Sequence, residues 1–508
     1  MSIPITLTGL SQNDPVPGTY LEINFAQGPV AGDGAEKVAV LVGNKLPSGS
    51  ATVDTVLYGP DTPARLQTEG DAINLFGAGS ELHRMFRVFA TINQSTPLYA
   101  VAVTESAGAQ AVGTFTLATT ATRNCSLRIL LAAATIEVPI AVGDTPTVVA
   151  AAAVSAVNAR TELPAIASSA LGVVTLSAKQ KGPRGNGLRY MVQVVSDASP
   201  GTTVAGATVD TGFTGGTTAD SSTAALATLL TKRHYYIVSA ANDSVQVAAL
   251  ASQIQSQASP LTGLRQRGFA CWNGTLASGI SLAQGANDER FEFPWLRDTV
   301  MPAEEVAAHM AAVYSLYEAS TNPRTNFINM GSDAVTARTW RIPAPRLSSS
   351  LPTRQDLKAA LNSGLSPIGT HSNGKTYLVN RITSRSLTGA TPDYRIRGAH
   401  KVTIADFFGD DLVAKTSLNM AGFRIADDSL PGAPPAPPGV ATPSLWRGLI
   451  YGLLDRYSEL GLVQNVDAIK AGVVVQRELS PTTRMTARIP LQPVDNLEQT
   501  AAAVDQVA

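Results

Sequence analysis

The chain has 508 residues, of which 44% are hydrophobic and only 15% charged, and its net charge is −1. That length leaves room for three or four domains with ample core, and the near-zero charge excludes a global basic field for nucleic acid. So little charge on a soluble chain points to a surface largely covered by partners, the composition that secreted β-proteins also share.

No basic region followed by an apolar stretch comes after Met1, so no signal peptide is expected. The apolar-rich stretch 127–142 contains Arg128 and Glu137 and is too short and broken to span a bilayer. Synthesis and assembly in the cytoplasm are the expectation. Residues 1–24, broken by Pro4, Pro15, Pro17 and Gly18, form no periodic block and run into an alternating strand, Tyr20, Leu21, Glu22, Ile23, Asn24 and Phe25. Such a strand on a leader suits addition to another chain's sheet edge, and equally an edge strand of its own domain.

An α/β pattern starts at Glu36. Residues 38–42 are a continuous apolar run of the kind buried on both faces of a sheet. A helix starting near Ser80 puts Leu82, Met85, Phe86, Phe89 and Ile92 on one face, and 98–103 is the next strand, which completes a βαβ unit. The pattern then stops for about a hundred residues, roughly one small domain. Residues 114–119, 127–131, 135–142, 172–177 and 188–195 read as strands, with one Ala/Val-rich helix near 145–159. After Gly215 the alternation resumes with strand 234–239, helix 244–256, strands 268–272 and 291–296, and helix 303–319. A β-rich block between two parts of an α/β block is best read as an insertion. The reading is a mixed α/β and α+β multidomain chain with a discontinuous core at 25–108 and 217–350, and an inserted β-rich domain at 109–216.

From 351 a further α+β unit runs to 483. It opens RQDLKAALNSGLSPIGTHSNGKTYLVNRITSR: a short helix, a hairpin turned by Asn373-Gly374, and a strand over 377–383. The Pro-rich stretch 430–443 is expected to be an extended surface loop. After it comes a helix capped by Ser444, with Leu445, Leu449, Leu453, Tyr457 and Leu460 on its buried stripe and Gly461 at its end. Residues 484–508 begin with a second alternating strand in which Met485, Ala487 and Ile489 alternate with Arg484, Thr486 and Arg488.

Chemistry-bearing patterns are scarce. The two cysteines, Cys125 and Cys271, form neither a disulfide framework nor a zinc spacing and are read as buried thiols. The five histidines (His83, His234, His309, His371 and His400) show no metal-binding spacing, and neither a nucleophile elbow nor a P-loop occurs. Glu304-Glu305, Asp410-Asp411 and Asp427-Asp428 are adjacent pairs, which do not face each other on a helix and make poor acid–base dyads. No catalytic, metal or cofactor residue is nominated. The loop from Lys181 to Gly187, KGPRGNG, is read as a turn connection that can only weakly suggest an anion cradle. One charge feature stands out: between His371 and Val402, Lys375, Arg381, Arg385, Arg395, Arg397 and Lys401 are offset only by Asp393. A solvated strand face and a lining for an acidic partner surface are equal readings of that excess. Nucleic acid is disfavoured because no aromatic platform accompanies it.

The order and spacing of several stretches resemble contractile tail sheath proteins of the Mu-like phage type. These are PGTYLEINFA, VLVGNK, INLFGAGSELHRMFRVFATINQSTPLYAVAV, VTLSAKQKGPRGN, the 354–385 block and the following ADFFGDDL. The resemblance covers most of the chain, and the Pro-rich loop departs from it. It implies a subtilisin-like α/β sheath core, an outer inserted domain, a C-terminal domain facing a tail tube, and linking arms at 1–24 and 484–508. It implies no enzyme and no cofactor. What it does imply is a helical homopolymer of stacked hexameric rings, partnered by a tail tube protein and by baseplate and tail terminator proteins, without nucleic acid or direct membrane insertion. Such a polymer is part of a virion tail, assembled in a bacterial host's cytoplasm, and contracts to drive the tube through the host envelope. A phage-derived bacteriocin or injection particle would use nearly the same chain. By the same resemblance, Tyr20, Leu21, Glu22 and Ile23, with Met485, Thr486, Ala487, Arg488 and Ile489, are the strands added between subunits. The recipient sheet includes Tyr377, Val379, Arg381 and Thr383, and Arg385, Arg395, Arg397 and Lys401 face the tube. A subtilisin-like hydrolase and a surface adhesin are the rival classes; no motif nominates a Ser, His and acid for the first, and the second lacks a signal peptide.

Overall fold

The computed structural model describes residues 37–196, 201–318, 340–428 and 437–495. Strand β1 (Ala39–Asn44) is buried at every position. It is followed by β2 (Leu57–Tyr58), α1 (Glu69–Phe76), α2 (Glu81–Ile92) and β3 (Leu98–Val103). Thr68 and Asp71 form a reciprocal cap on α1, and the Ser80 hydroxyl accepts the His83 N–H to start α2. β1 pairs parallel with β3, Ala39 opposite Leu98, because α1 and α2 carry the chain back to the start of the sheet.

The parallel sheet is then interrupted by β4 (Gln110–Leu117), β5 (Cys125–Leu131), β6 (Ala134–Ile140), α3 (Pro146–Asn158), β7 (Ala165–Ala170), β8 (Val173–Lys181), β9 (Arg189–Val195), β10 (Val204–Ala205) and β11 (Thr211–Gly212). These make two antiparallel four-stranded sheets, ordered β10-β4-β8-β7 and β11-β9-β5-β6. Their inner faces and α3 enclose a hydrophobic cluster of their own, including Phe115, Leu127, Ile129, Val157, Leu176 and Tyr190. β7, an Ala/Ser strand with little β-propensity, had no sequence signal; its ladder with β8, Ala165 opposite Ala178, is what holds it extended.

The chain returns through α4 (Thr223–Ala227), β12 (Tyr236–Ser239), α5 (Ser244–Gln257), β13 (Arg267–Phe269), α6 (Leu276–Ala286), β14 (Phe291–Glu292), β15 (Pro294–Trp295) and α7 (Ala303–Glu318). β12 joins the free side of β1, giving a six-stranded sheet ordered β14-β13-β12-β1-β3-β2 with only β2 antiparallel. Alternate residues serve opposite faces: Ala39 and Leu41 pack with α2 and α7, while Val40 and Val42 pack with α4, α5 and α6. Residues 291–296, expected as one strand, are two short strands in different sheets. Phe293 separates them; β15 keeps a bridge from Trp295 to Trp272, beyond the end of β13, and on its other side pairs with a strand of the C-terminal part.

That part contains α8 (Arg354–Asn362), β16 (Ser366–Thr370), β17 (Thr376–Leu378), β18 (Leu387–Thr388), β19 (Thr391–Pro392), α9 (Ala399–Met420), β20 (Arg424–Ile425), β21 (Val440–Ala441), α10 (Pro443–Glu459), α11 (Val466–Gly472), β22 (Val474–Arg477) and β23 (Met485–Arg488). The hairpin β16–β17 forms, but with a longer turn than the Asn-Gly pair suggested. His371 N–H donates to Lys375 O, and positive φ falls on Gly374 alone. The cap of α10 is Thr442, whose hydroxyl accepts Leu445 N–H, rather than Ser444, because Pro443 needs no N–H partner in the first turn. β22 and β23 are an antiparallel pair, Val474 opposite Arg488.

Candidate assembly interface

Tyr20, Leu21, Glu22 and Ile23 lie outside the described residues. The second strand expected to link subunits, Met485 to Ile489, pairs in the chain's own hairpin: Met485 faces Arg477, Thr486 faces Gln476 and Ala487 faces Val475. Ala487 and Ile489 lean on the C-terminal cluster of Ile450, Leu454, Tyr457 and Val475. Thr486, on the other face, is buried and donates to Glu478 Oε1 at 2.8 Å. Among the described residues this sheet has two strands.

Tyr377, Val379, Arg381 and Thr383 do not share one sheet. Tyr377 is in β17 and stacks on His371 with ring centroids 4.2 Å apart. Val379 N–H donates to Pro367 O at 3.0 Å. Beyond it the chain leaves the hairpin. Ile382 bridges Gly398, Thr383 N–H donates to Arg397 O, and Arg381 turns inward.

Arg381 enters a buried ionic network that sequence spacing gave no means of anticipating. Its Nε and Nη2 donate to the two Glu292 oxygens, each at 2.9 Å, and Nη1 reaches Glu318. Its guanidinium carbon lies 3.7 Å from the Tyr314 ring centroid. Arg267 binds the same two carboxylates and the Thr403 hydroxyl, and Tyr236 donates to Glu318 Oε2 at 2.7 Å. Burial opposes the Glu318 charge, but Arg381 and Arg267 win and lower its pKa to about 2. One turn along α9, Asp406 accepts a forked pair of bonds from Arg290 at 2.7 and 2.8 Å, and Asp410 binds Arg233 and Arg265. Lys37, at the root of β1, is buried with its Nζ 3.2 Å from the Phe407 ring centroid and no hydrogen-bond partner among the described residues. Burial pulls its pKa down to about 7.

The basic excess counted along 371–402 is therefore largely neutralised in space, by acids outside that stretch. Arg385 pairs with Glu289 at 3.0 Å and Lys401 with Asp495, as Arg381 does with Glu292 and Glu318. The Arg397 carbonyl holds Thr383, and Arg395, paired to Asp393 at 2.9 Å, is exposed, as is Lys375. Among the described residues no cluster of His, Cys, Asp or Glu could hold a metal, and no helix is long and apolar enough to cross a membrane.

Fold and site together describe a mixed α/β protein of several packed units whose candidate surfaces are strands and charged side chains. Its nearly full-length similarity is to tail sheath proteins. The chain is 23% identical over 484 residues to the Mu-like prophage FluMu tail sheath protein of Haemophilus influenzae, covering 92% of this chain and 93% of that one. The Mu-like resemblance drawn from the quoted motifs is thus shown. No protein-family model matches the chain. Among solved structures, the sheath tail protein of Desulfitobacterium hafniense is similar at 12% identity and a TM-score of 0.45, over 93% of this chain and 100% of that one. The helical sheath of the anti-feeding prophage in its contracted state is similar at 11% identity and a TM-score of 0.44, over 97% and 99%.

Proposed function

We propose that this chain is the repeating subunit of a contractile tail sheath, polymerising as stacked hexameric rings around a tail tube and shortening to drive the tube through a host envelope. The observation that carries the proposal is the similarity to a tail sheath protein along nearly the whole of both chains. A sheath of a phage-derived bacteriocin or injection particle is the same function in a different particle.

In this reading the role of the chain is mechanical and not enzymatic. The discontinuous, subtilisin-like core is 25–108 with 217–350, the outer domain is 109–216, and 351–483 faces the tube. The arms 1–24 and 484–508 knit neighbours together, and the particle's baseplate and tail terminator proteins close the two ends of a tail assembled in a bacterial cytoplasm. The β22–β23 hairpin supports strand exchange, because a two-stranded ladder is extended at its outer edges by main-chain bonds that tolerate any side chain. Such ladders hold while rigid bodies rotate about flexible linkers. Energy for shortening is stored at assembly as the gap between a metastable extended lattice and a more stable contracted one.

The test is deletion of residues 1–24. We expect a folded, soluble subunit that forms no striated tubes by negative-stain microscopy, while the full-length chain does. Tubes of normal length from the truncated chain overturn the arm model. Discrete particles from the full-length chain under all assembly conditions overturn the sheath reading.

A further inference from the structure

The KGPRGNG loop at the end of β8 does more than connect two strands. Gly182, at φ +99, turns the backbone into a short 3-10 turn, Pro183–Gly187, and the turn carries Arg184 out of the two-sheet unit. The Arg184 side chain ends inside the parallel sheet's own territory. Nε and Nη2 donate to the two oxygens of Glu81, both at 3.0 Å, and Nη2 also reaches Asn44 Oδ1 at 2.9 Å and Asp220 Oδ2. Asn44 is the last residue of β1, and its backbone N–H donates to Glu81 as well, at 3.0 Å. The side chains of Arg184, Glu81 and Asp220 are 9%, 4% and 3% exposed, so the group is walled off from solvent.

The location gives this contact its meaning. β1 has β3 on one side and β12 on the other, so the strand order reverses direction at β1. Open α/β sheets hold their ligands at the carboxyl ends of the strands at such a reversal. Here that crevice keeps a cavity of about 10 Å³ bordered by Gly43, Asn44, Arg184, Asp220 and Ser239, room for a single water. The crevice is filled by a side chain from the inserted unit. Asp220 is also a knot in the connections: it lies on the returning segment, binds Arg184, and accepts Ser106 N–H of the outgoing segment at 2.6 Å. Lys181 N–H donates to Glu105 of that same outgoing segment at 2.9 Å.

We propose that Arg184 is a lock, which seats the inserted two-sheet unit in the ligand crevice of the parallel sheet and fixes the unit's orientation, so that insert and core move as one body. Without it, the unit is tied to the sheet and its flanking segments by the two connections, 104–109 and 214–222, and by a few side-chain contacts. Among these, Lys179 Nζ crosses to Ala78 O at 3.0 Å, Arg189 pairs with the partly exposed Asp298 at 3.1 Å, and Arg346 donates to Asp210 Oδ1 at 2.8 Å and to Ala132 O. Burial opposes the charge of the Arg184 guanidinium, but Glu81 and Asp220 hold it protonated above its ordinary value. Lysine at this position would keep the charge but lacks the planar fork that meets three acceptors at once. The lock acts within one chain and holds whether or not the chain forms a sheath.

Hydrogen–deuterium exchange on the full-length chain tests it. Arg184→Met is expected to speed exchange of amides in 104–109 and 214–222 by tenfold or more, with the buried strands β1, β5 and β9 unchanged. Arg184→Lys is expected to restore little of the protection, and Lys179→Met to leave the connections within twofold of the parent. Faster exchange in β5 and β9 as well would mean that Arg184 holds up the unit's own fold, which overturns the lock. So would connections that exchange at the parental rate in Arg184→Met. If Arg184→Met does not fold, Asp220→Asn serves in its place. It keeps the shape, removes one of the acceptor charges and is expected to raise exchange in the same two segments by a smaller factor; no rise there equally overturns the proposal.

Discussion

Two seams join the parallel sheet to the rest of the molecule, and they are built on opposite plans. At the first, the inserted unit keeps its own apolar cluster, drawn entirely from residues 111–213, and meets the sheet through a few polar contacts, the walled-off Arg184 group among them. At the second, the apolar clusters of the sheet run straight into the C-terminal part, taking in Ile368, Leu378, Ala360 and Leu365. Charges there are inside the seam: Arg267, Arg381, Glu292 and Glu318 are all at most 5% exposed. A unit that closes its own core needs only to be held in place. A unit that shares a core must bury its charges with it, and each buried charge then depends on its partner.

The largest expected effect follows from that dependence. Arg381→Ala leaves Glu292 and Glu318 short of a buried guanidinium and is expected to cost about 3–5 kcal/mol in urea unfolding. Its acid sensitivity carries a sign as well. Glu318, with its pKa lowered to about 2, contributes stability that is whole above its unfolded value near 4.5 and is lost as pH falls towards 2. Removing Arg381 raises that folded pKa, so the acid-unfolding midpoint moves to higher pH. A loss below about 1 kcal/mol, in the range of an exposed pair, would mean that the buried network carries little of this seam.

Lys37 sharpens the contrast in the other direction, because it is a buried cation with no hydrogen-bond acceptor among the described residues. Its pKa falls from 10.5 to about 7, so the unfolded chain binds a proton between those values that the folded chain does not. The penalty is complete below about pH 7 and fades as pH rises towards 10.5. Lys37→Met fills the same space without the charge and is expected to be more stable than the parent at pH 7, on the order of a few kcal/mol, with the gain shrinking by pH 9.5. A destabilised Lys37→Met at pH 7 would mean that the ammonium over Phe407 is worth more than its desolvation costs.

Local pattern carried much of this architecture and long-range charge almost none. The run AVLVGN and the stripe Leu82, Met85, Phe86 and Phe89 are sequence-local, and both fold as their periodicity says. The single strand expected over 291–296 is split because β14 and β15 serve different sheets, which no local pattern records. For the same reason the hairpin partner of Met485–Arg488 was missed: β22 is short, and its Val475 is fixed by a cluster built on α10. Arg381 lies 89 residues from Glu292 and 63 from Glu318, so a count of charge along the chain saw a basic stretch where the fold has neutral clusters. The arm strand from Tyr20 to Ile23 lies outside the described residues, and its role rests on the resemblance.

The smallest effect on stability is expected at Arg395, and for that reason it isolates assembly from folding. Arg395 is 59% exposed, so its attraction to Asp393 is screened and its long side chain must be ordered to keep it, while Asp393 retains the Thr388 hydroxyl as a donor. Arg395→Ala is expected to leave the urea midpoint of the subunit unchanged. If the C-terminal part faces an acidic tube surface, the same substitution slows the growth of sheath on purified tube and flattens its dependence on salt, because rim charges act on encounter rate more than on the final contact. Growth at the parental rate and with the parental salt dependence would remove Arg395 from the tube contact. The remaining candidates there would be Arg385, Arg397 and Lys401, all of which are held by the fold itself, the first through Glu289, the second through its backbone and the third through Asp495.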